Sequence, residues 1–178
     1  MTKKSRIYTR TGDRGSSGLA NGERRSKTDQ RFAAIGALDE LNAVLGVVCS
    51  QLTDYSLKQH IEVVQQQLFI SGAELALAKD VCIQEEHLLN VEKMIDHYDA
   101  ALPRMTHFIL PGGCAAGATL HHARSLCRRA ECEVLHLKQQ EEVNSHLLRY
   151  LNRLSDLLFV LARHVNQQLG EPETKWIP

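Results

Sequence analysis

Asn144–Leu169 reads NSHLLRYLNRLSDLLFVLARHVNQQL, and its periodicity decides the fold. Leu147, Leu151, Leu154, Leu158, Leu161 and Val165 recur at three- and four-residue spacing. They therefore share one stripe of an α-helix, where a half-buried strand would alternate. The same period runs back through the chain. Ala115–Gln139 carries Leu120, Ala123, Leu126, Cys127, Ala130, Val134 and Leu137, and Ser56–Lys79 carries Ile61, Val64, Leu68, Leu75 and Ala78. Phe32, Ile35, Leu38, Leu41, Leu45 and Val48 form a further stripe that starts after Asp29, an acceptable N-cap. A shorter helix is expected over Glu85–Ala101, where Pro103 helps end it, and Pro111-Gly112-Gly113 marks a tight loop before the fourth helix. Five helices with mostly short connections predict an all-α, antiparallel helical bundle.

The 178 residues suit one domain: a polar, glycine-rich segment at 1–28, the bundle at 29–170 and an irregular tail at 171–178. In the first segment only Ile7-Tyr8-Thr9 suggests extended structure. Lys+Arg and Asp+Glu are both 21. That balance argues against a non-specific nucleic-acid binder, which needs a basic excess, but leaves room for a local anion site. The five cysteines are odd in number and form no CxxC, so free thiols are expected rather than disulfides or zinc. MTKKSRIYTR lacks the apolar core of a signal peptide, and no unbroken apolar run reaches the roughly 18 residues of a membrane span. The expectation is a cytoplasmic protein with no membrane and no nucleic-acid partner.

Chemistry concentrates in five places. Thr9-Arg10-Thr11-Gly12-Asp13-Arg14-Gly15-Ser16-Ser17-Gly18 combines glycines that let backbone N–H groups converge with hydroxyls and the cations Arg10, Arg14 and Lys27, as a phosphate cradle requires. It lacks the Gly-Lys-Ser/Thr of a Walker A loop, and a disordered polar tail has the same composition. In the fourth helix Arg124, Arg128 and Glu131 line one side at i, i+4 and i+7. Two like charges at that spacing repel, which calls for an anion or partner carboxylate unless the face is merely solvated. Asn152 and Asp156 share a face of the fifth helix and suit either a purine or ribose contact or ordinary surface polarity. Asp39, beside the first helix's apolar stripe, wants an arginine, within the chain or across a subunit boundary. Phe108-Ile109-Leu110 before the Pro-Gly-Gly loop is either a core plug or a ligand wall. Glu133-x-x-His136 is the one ExxH motif, half of what a ferritin-like di-iron bundle needs, and adjacent His121-His122 form no metal pair.

In order along the chain, RIYTRTGDRGSSGL, SKTDQRFAAIGALDELNAVLG, FILPGG, LHHARSLCRRAECEV, LRYLNRLSDLLFVLAR and the closing KWIP resemble the blocks of the PduO-type ATP:corrinoid adenosyltransferases. The departures are Ser16-Ser17 where threonines are usual, Ala20-Asn21 for an aromatic-glycine pair, and Cys114 where Ser or Thr is common. The resemblance implies a helical bundle, a homotrimer with active sites between subunits, and transfer of the 5′-deoxyadenosyl group of ATP to the cobalt of cob(I)alamin.

It also implies residue roles. Thr9, Arg10, Thr11, Gly12 and Asp13, with Ser17, Gly18 and Lys27, would wrap ATP. Arg128 and Glu131 would reach the same nucleotide from a neighbouring subunit, with Asn152 beside it. Phe108 would press on the corrin's lower face, supported by Asp156, and Arg124 would pair with Asp39 across the interface. Arg128, Lys27 and Phe108 would carry catalysis, with Mg²⁺ on the triphosphate. A reductase and an adenosylcobalamin-dependent enzyme would be partners. The alternative is a non-catalytic cobalamin carrier or ATP-sensing module.

Overall fold

In a computed structural model, which describes residues 7–177, five helices follow a small hairpin. The hairpin pairs β1 (Ser16–Gly18) with β2 (Arg24–Ser26), antiparallel, with Ser17 opposite Arg25. The helices are α1 (Gln30–Gln51), α2 (Tyr55–Leu75), α3 (Glu85–Asp99), α4 (Ala115–Lys138) and α5 (Ser145–Gln168). The extended segment is thus the hairpin and not Ile7-Tyr8-Thr9, where no strand forms. Three-residue strands rich in serine and arginine carry no alternating apolar signal, so periodicity does not reveal them.

Side chains that satisfy orphan N–H groups fix the helix starts. Asp29 accepts from the Arg31 N–H at 2.9 Å, Asp54 from Ser56 and Leu57, and Asn144 from His146. Cys114, conspicuous in sequence as a replacement for Ser or Thr, caps α4 with its sulfur, 3.3 Å from the Gly117 N–H.

The core is continuous, with α4 packed between α1 and α5, α2 against α1, and α3 against α5. Every stripe residue of α4 and α5 named from the sequence is buried. In α1 the stripe is shifted: Ala34 and Ala37 are buried while Phe32 and Ile35 are half-buried, lining a groove of about 460 Å³ between α1 and α2. Small residues let the helix backbones approach, so the alanines take the seam and the larger side chains are displaced to its edge. α2 ends at Leu75, because Leu77 turns to φ 63°, and Ala78 lies outside the helix. One buried polar pair crosses the core, the Tyr150 hydroxyl donating to Gln67 Oε1 at 3.0 Å. Orphaning either member would cost roughly 1–3 kcal/mol.

Averaged over its length, α1 is long and apolar enough to cross a membrane. Asp39 and Glu40 interrupt its apolar sequence, so it contains no unbroken apolar run of that length. Its face from Ala34 to Val48 packs in the core, and a central bundle helix needs that same composition.

Candidate functional site

The N-terminal segment is ordered by polar contacts rather than burial. Gly15 (φ 79°) and Arg10 (φ 61°) turn the chain, with Arg10 5.5 Å over the Tyr8 ring and the Thr9 and Thr11 hydroxyls 2.8 Å apart. The Arg24 guanidinium donates to the Thr11 carbonyl (2.7 Å), the Ser16 carbonyl (3.1 Å) and the Ser16 hydroxyl (2.9 Å), crossing the loop from the hairpin's second strand. Lys27 donates its N–H to the Gly15 carbonyl at 2.8 Å. Its ammonium approaches Gly12 so closely that a Cβ there would lie 3.2 Å from Nζ. Thr11, Gly12 and Lys27 are therefore gathered on one exposed loop. Arg24 organises it from outside the glycine-rich run, where the sequence gives no sign of that role.

The hairpin is fastened to the bundle through Glu141, just after α4. Arg25 Nη1 donates to Glu141 Oε1 at 2.5 Å and the buried Arg31 donates to Oε2. Arg31 also donates to the Leu75 carbonyl at 2.6 Å. Hydrogen bonds from Arg31, then Arg25, hold the Glu141 carboxyl below its ordinary 4.5. A depressed carboxylate pKa contributes stability that is present above the unfolded value and lost as pH falls through the folded one. Glu141→Gln should therefore lower the melting temperature most above pH 4.5, with the gap to the unaltered protein closing in more acid solution. A gap independent of pH would show that the charge is not what fastens the hairpin.

A second group lies on the outer faces of α4 and α5. Arg128 is exposed and makes no hydrogen bond or ion pair among the described residues. Glu131 does not pair with it, and instead accepts from the Asn152 amide across the helix pair at 3.4 Å. Asn152 Oδ1 accepts from Arg153 (3.1 Å), which also meets Glu92 at 3.2 Å and Asp156 at 3.7 Å. The structure thus brings Glu131, Asn152 and Asp156 into one polar network beside Arg128. No hydrogen bond or ion pair links that network to the N-terminal loop among the described residues. Among the described residues Asp39 makes no ion pair; the pair formed between α1 and α4 is Glu40–Arg129. Arg124 keeps a buried Nε without a partner. Glu133 is engaged by the Gln30 amide at 2.6 Å, and its distance to His136 is 3.9 Å.

Phe108 is no core plug: its residue is 75 % exposed. Its backbone is nevertheless fixed. The tail runs antiparallel to it, with Ile109 opposite Lys175, Leu110 N–H donating to the Thr174 carbonyl and Trp176 N–H to the Phe108 carbonyl, each at 2.8 Å. The two rings meet edge-to-face at 6.4 Å. The following Pro-Gly-Gly loop is clamped by Asn166 of α5, which donates to the Gly112 carbonyl (3.0 Å) and accepts from the Cys114 N–H (3.1 Å). Gly113 (φ 97°) and Gly117 are required there, since a Cβ on either would lie 2.3 or 2.1 Å from Asn166 Oδ1. Nothing in the sequence marks Asn166, a lone Asn near a helix end.

The family model described as cobalamin adenosyltransferase matches residues 7–165. A cobalamin adenosyltransferase of Cupriavidus metallidurans is 41 % identical over 97 % of this chain and 94 % of its own, and a corrinoid adenosyltransferase of Bacillus subtilis is 40 % identical over 93 % and 89 %. Two solved structures are variants of a PduO-type ATP:corrinoid adenosyltransferase from Lactobacillus reuteri. A phenylalanine-to-histidine variant, complexed with cobalamin and ATP, superposes with TM-score 0.91 at 35 % identity and covers 96 % of both chains. An arginine-to-lysine variant, complexed with ATP, does so with the same TM-score and identity over 96 % of this chain and all of that one.

Proposed function

This chain belongs to the cobalamin adenosyltransferase family, and from that premise we propose that it transfers the 5′-deoxyadenosyl group of ATP to cob(I)alamin, releasing triphosphate. The observation that carries the reading is Arg128: an exposed guanidinium with no hydrogen bond or ion pair among the described residues, set beside an ordered Glu131–Asn152 network. The phenylalanine and arginine altered in the Lactobacillus reuteri variants are separated by the same 20 positions as Phe108 and Arg128, which supports both assignments.

The step is a displacement at carbon. Cobalt(I) supplies the electron pair of the new Co–C5′ bond, and the C5′–O pair leaves with triphosphate. No proton moves at the attacked carbon, so no general base is required. What the protein must supply is charge for the departing phosphate and alignment of C5′ with cobalt. Thr9 to Asp13, Ser17, Gly18 and Lys27 cradle the triphosphate, and Arg128 and Glu131 close it from outside. Among the described residues no three His, Cys, Asp or Glu side chains converge on a cation site. Asp13 is the carboxylate within the loop that would help hold a Mg²⁺ accompanying ATP. When bound, the ion neutralises charge on the leaving group.

The loop and the Arg128 face are each ordered yet unlinked in one chain, which favours a homotrimer whose sites combine one subunit's loop with a neighbour's α4. Arg124, whose Nε has no partner among the described residues, then meets Asp39 of the next subunit. The protein works in the cytoplasm, supplied with Co(I) by a reductase and delivering adenosylcobalamin to an enzyme that uses it. Anaerobic mixing with ATP, Mg²⁺ and chemically reduced cob(I)alamin tests the activity. Light-sensitive adenosylcobalamin should appear one-for-one with triphosphate. Binding of both substrates with neither product would assign the chain to the carrier or sensor class instead.

A further inference from the structure

We propose that the Arg163–Glu173 ion pair is a positioning device for Phe108, an inference that rests on Phe108 being the residue beneath the corrin. Arg163, on α5, is 4 % exposed. Its Nε donates to Glu173 Oε1 at 2.6 Å and its Nη2 to the Pro103 carbonyl at 2.9 Å, and its Nη1 lies 3.9 Å from Asp99. One guanidinium therefore ties together the end of α3, the start of the α3–α4 connection and the tail.

The path from there to Phe108 runs through the tail. Residues 104–107 are exposed and irregular, so the chain entering Phe108 is not held by packing. The 108–110 backbone is held by hydrogen bonds from Leu110 to Thr174 and from Trp176 to Phe108. The tail in turn buries little: of residues 171–177 only Glu173 is not exposed. With no buried apolar side chain among residues 171–177 and Trp176 only half covered, the tail depends largely on polar anchors. Besides the Glu171 N–H on the Asn166 carbonyl at 2.9 Å, that anchor is Glu173 on a buried charge. A buried guanidinium requires an acceptor, so Arg163 selects the docked tail, and the docked tail fixes Phe108 before substrate arrives. Neither residue needs to touch substrate.

Glu173→Gln, which keeps shape and an acceptor, and Glu173→Asp, which keeps the charge, test this in the full chain. Trp176 is the single tryptophan, so its fluorescence reports tail docking without any ligand. Glu173→Gln should increase acrylamide quenching of Trp176, and Glu173→Asp should restore most of the protection. Adenosylation starting from cob(II)alamin and a reductant should fall roughly tenfold in Glu173→Gln, within the range that misplacing a positioning group produces, with the KM for ATP unchanged. In a Phe108→Ala background the same substitution should cost nothing more, because a residue that acts through Phe108 has nothing left to position. Unchanged Trp176 quenching, or losses that multiply in the double variant, would overturn the proposal. Failure of the underlying reading looks different: Phe108→Ala alone would then leave the rate intact while Glu173→Gln still loosened Trp176.

Discussion

Phe108→Ala is expected to slow adenosylation about a hundredfold when the reaction starts from cob(II)alamin and a reductant, and far less when it starts from preformed cob(I)alamin. The reasoning begins with exposure. A phenylalanine residue 75 % exposed on a hydrogen-bonded backbone is an apolar surface waiting to be covered. Covering about 100 Å² of it stabilises the covered state by roughly 2.5 kcal/mol, nearly a hundredfold in rate if that contact is complete only in the reactive complex. Against the lower face of a corrin the ring would exclude water and the nucleotide tail from the axial position. Cobalt(II) without an axial ligand accepts an electron more readily, so the ring's contribution falls on the reduction. Once cobalt is already Co(I) that contribution has been bypassed, and only alignment is lost. The two starting states are compared in one preparation, with stopped-flow spectra of the corrin as the readout. Equal losses from both would reject the wedge and leave Phe108 as a general binding contact.

The bundle was legible because its physics is local. Each helix carries its own period and caps, and Asp29, Asp54 and Asn144 are cap residues by type as well as by position. Leu151, Leu154 and Leu158 could be placed in the core without knowing what they touch. The displacement of Phe32 and Ile35 could not be read, because it depends on which neighbour α1 meets and how near, and only the partner's surface decides that. The hairpin escaped for the opposite reason. It is held by Arg24, Arg25 and Glu141, polar contacts spanning up to 116 positions of sequence, and carries no apolar pattern.

The candidate site divides along the same line. Residue types that suit phosphate were visible in Thr9–Gly18, and the i, i+4 spacing of Arg124 and Arg128 was visible on one helix. Their supports were not. Asn166 reaches back to Gly112 and Cys114, and Arg163 reaches Pro103 and Glu173, over separations that a single sequence does not reveal. The carboxylate nearest Arg128 on α4 is engaged elsewhere. Glu131 turns to Asn152 on α5, and Arg128 has no ion pair among the described residues. A helix that keeps two arginines at i, i+4 while spending its nearby carboxylate elsewhere sacrifices stability for an open cationic position.

That sacrifice makes Arg128→Ala the most diagnostic substitution. Turnover should fall by about 10²–10³, the usual effect of removing a donor aimed at developing charge. Charge grows on the triphosphate as the C5′–O bond breaks, so kcat should fall by more than the KM for ATP rises. Arg128→Lys should land between, since a lysine keeps the charge but loses the planar fork that holds a phosphate bidentately. Stability should move the other way. Arg128 is exposed and has no hydrogen bond or ion pair among the described residues, so its loss should change unfolding free energy by no more than about 0.5 kcal/mol. Relief of the repulsion from Arg124 adds a few tenths in the stabilising direction. An inactive variant that melts at or slightly above the temperature of the unaltered protein is therefore the expected result. A near-normal rate would remove Arg128 from the site. A lost rate accompanied by a lowered melting temperature would make it a structural residue whose partner lies in a neighbouring subunit.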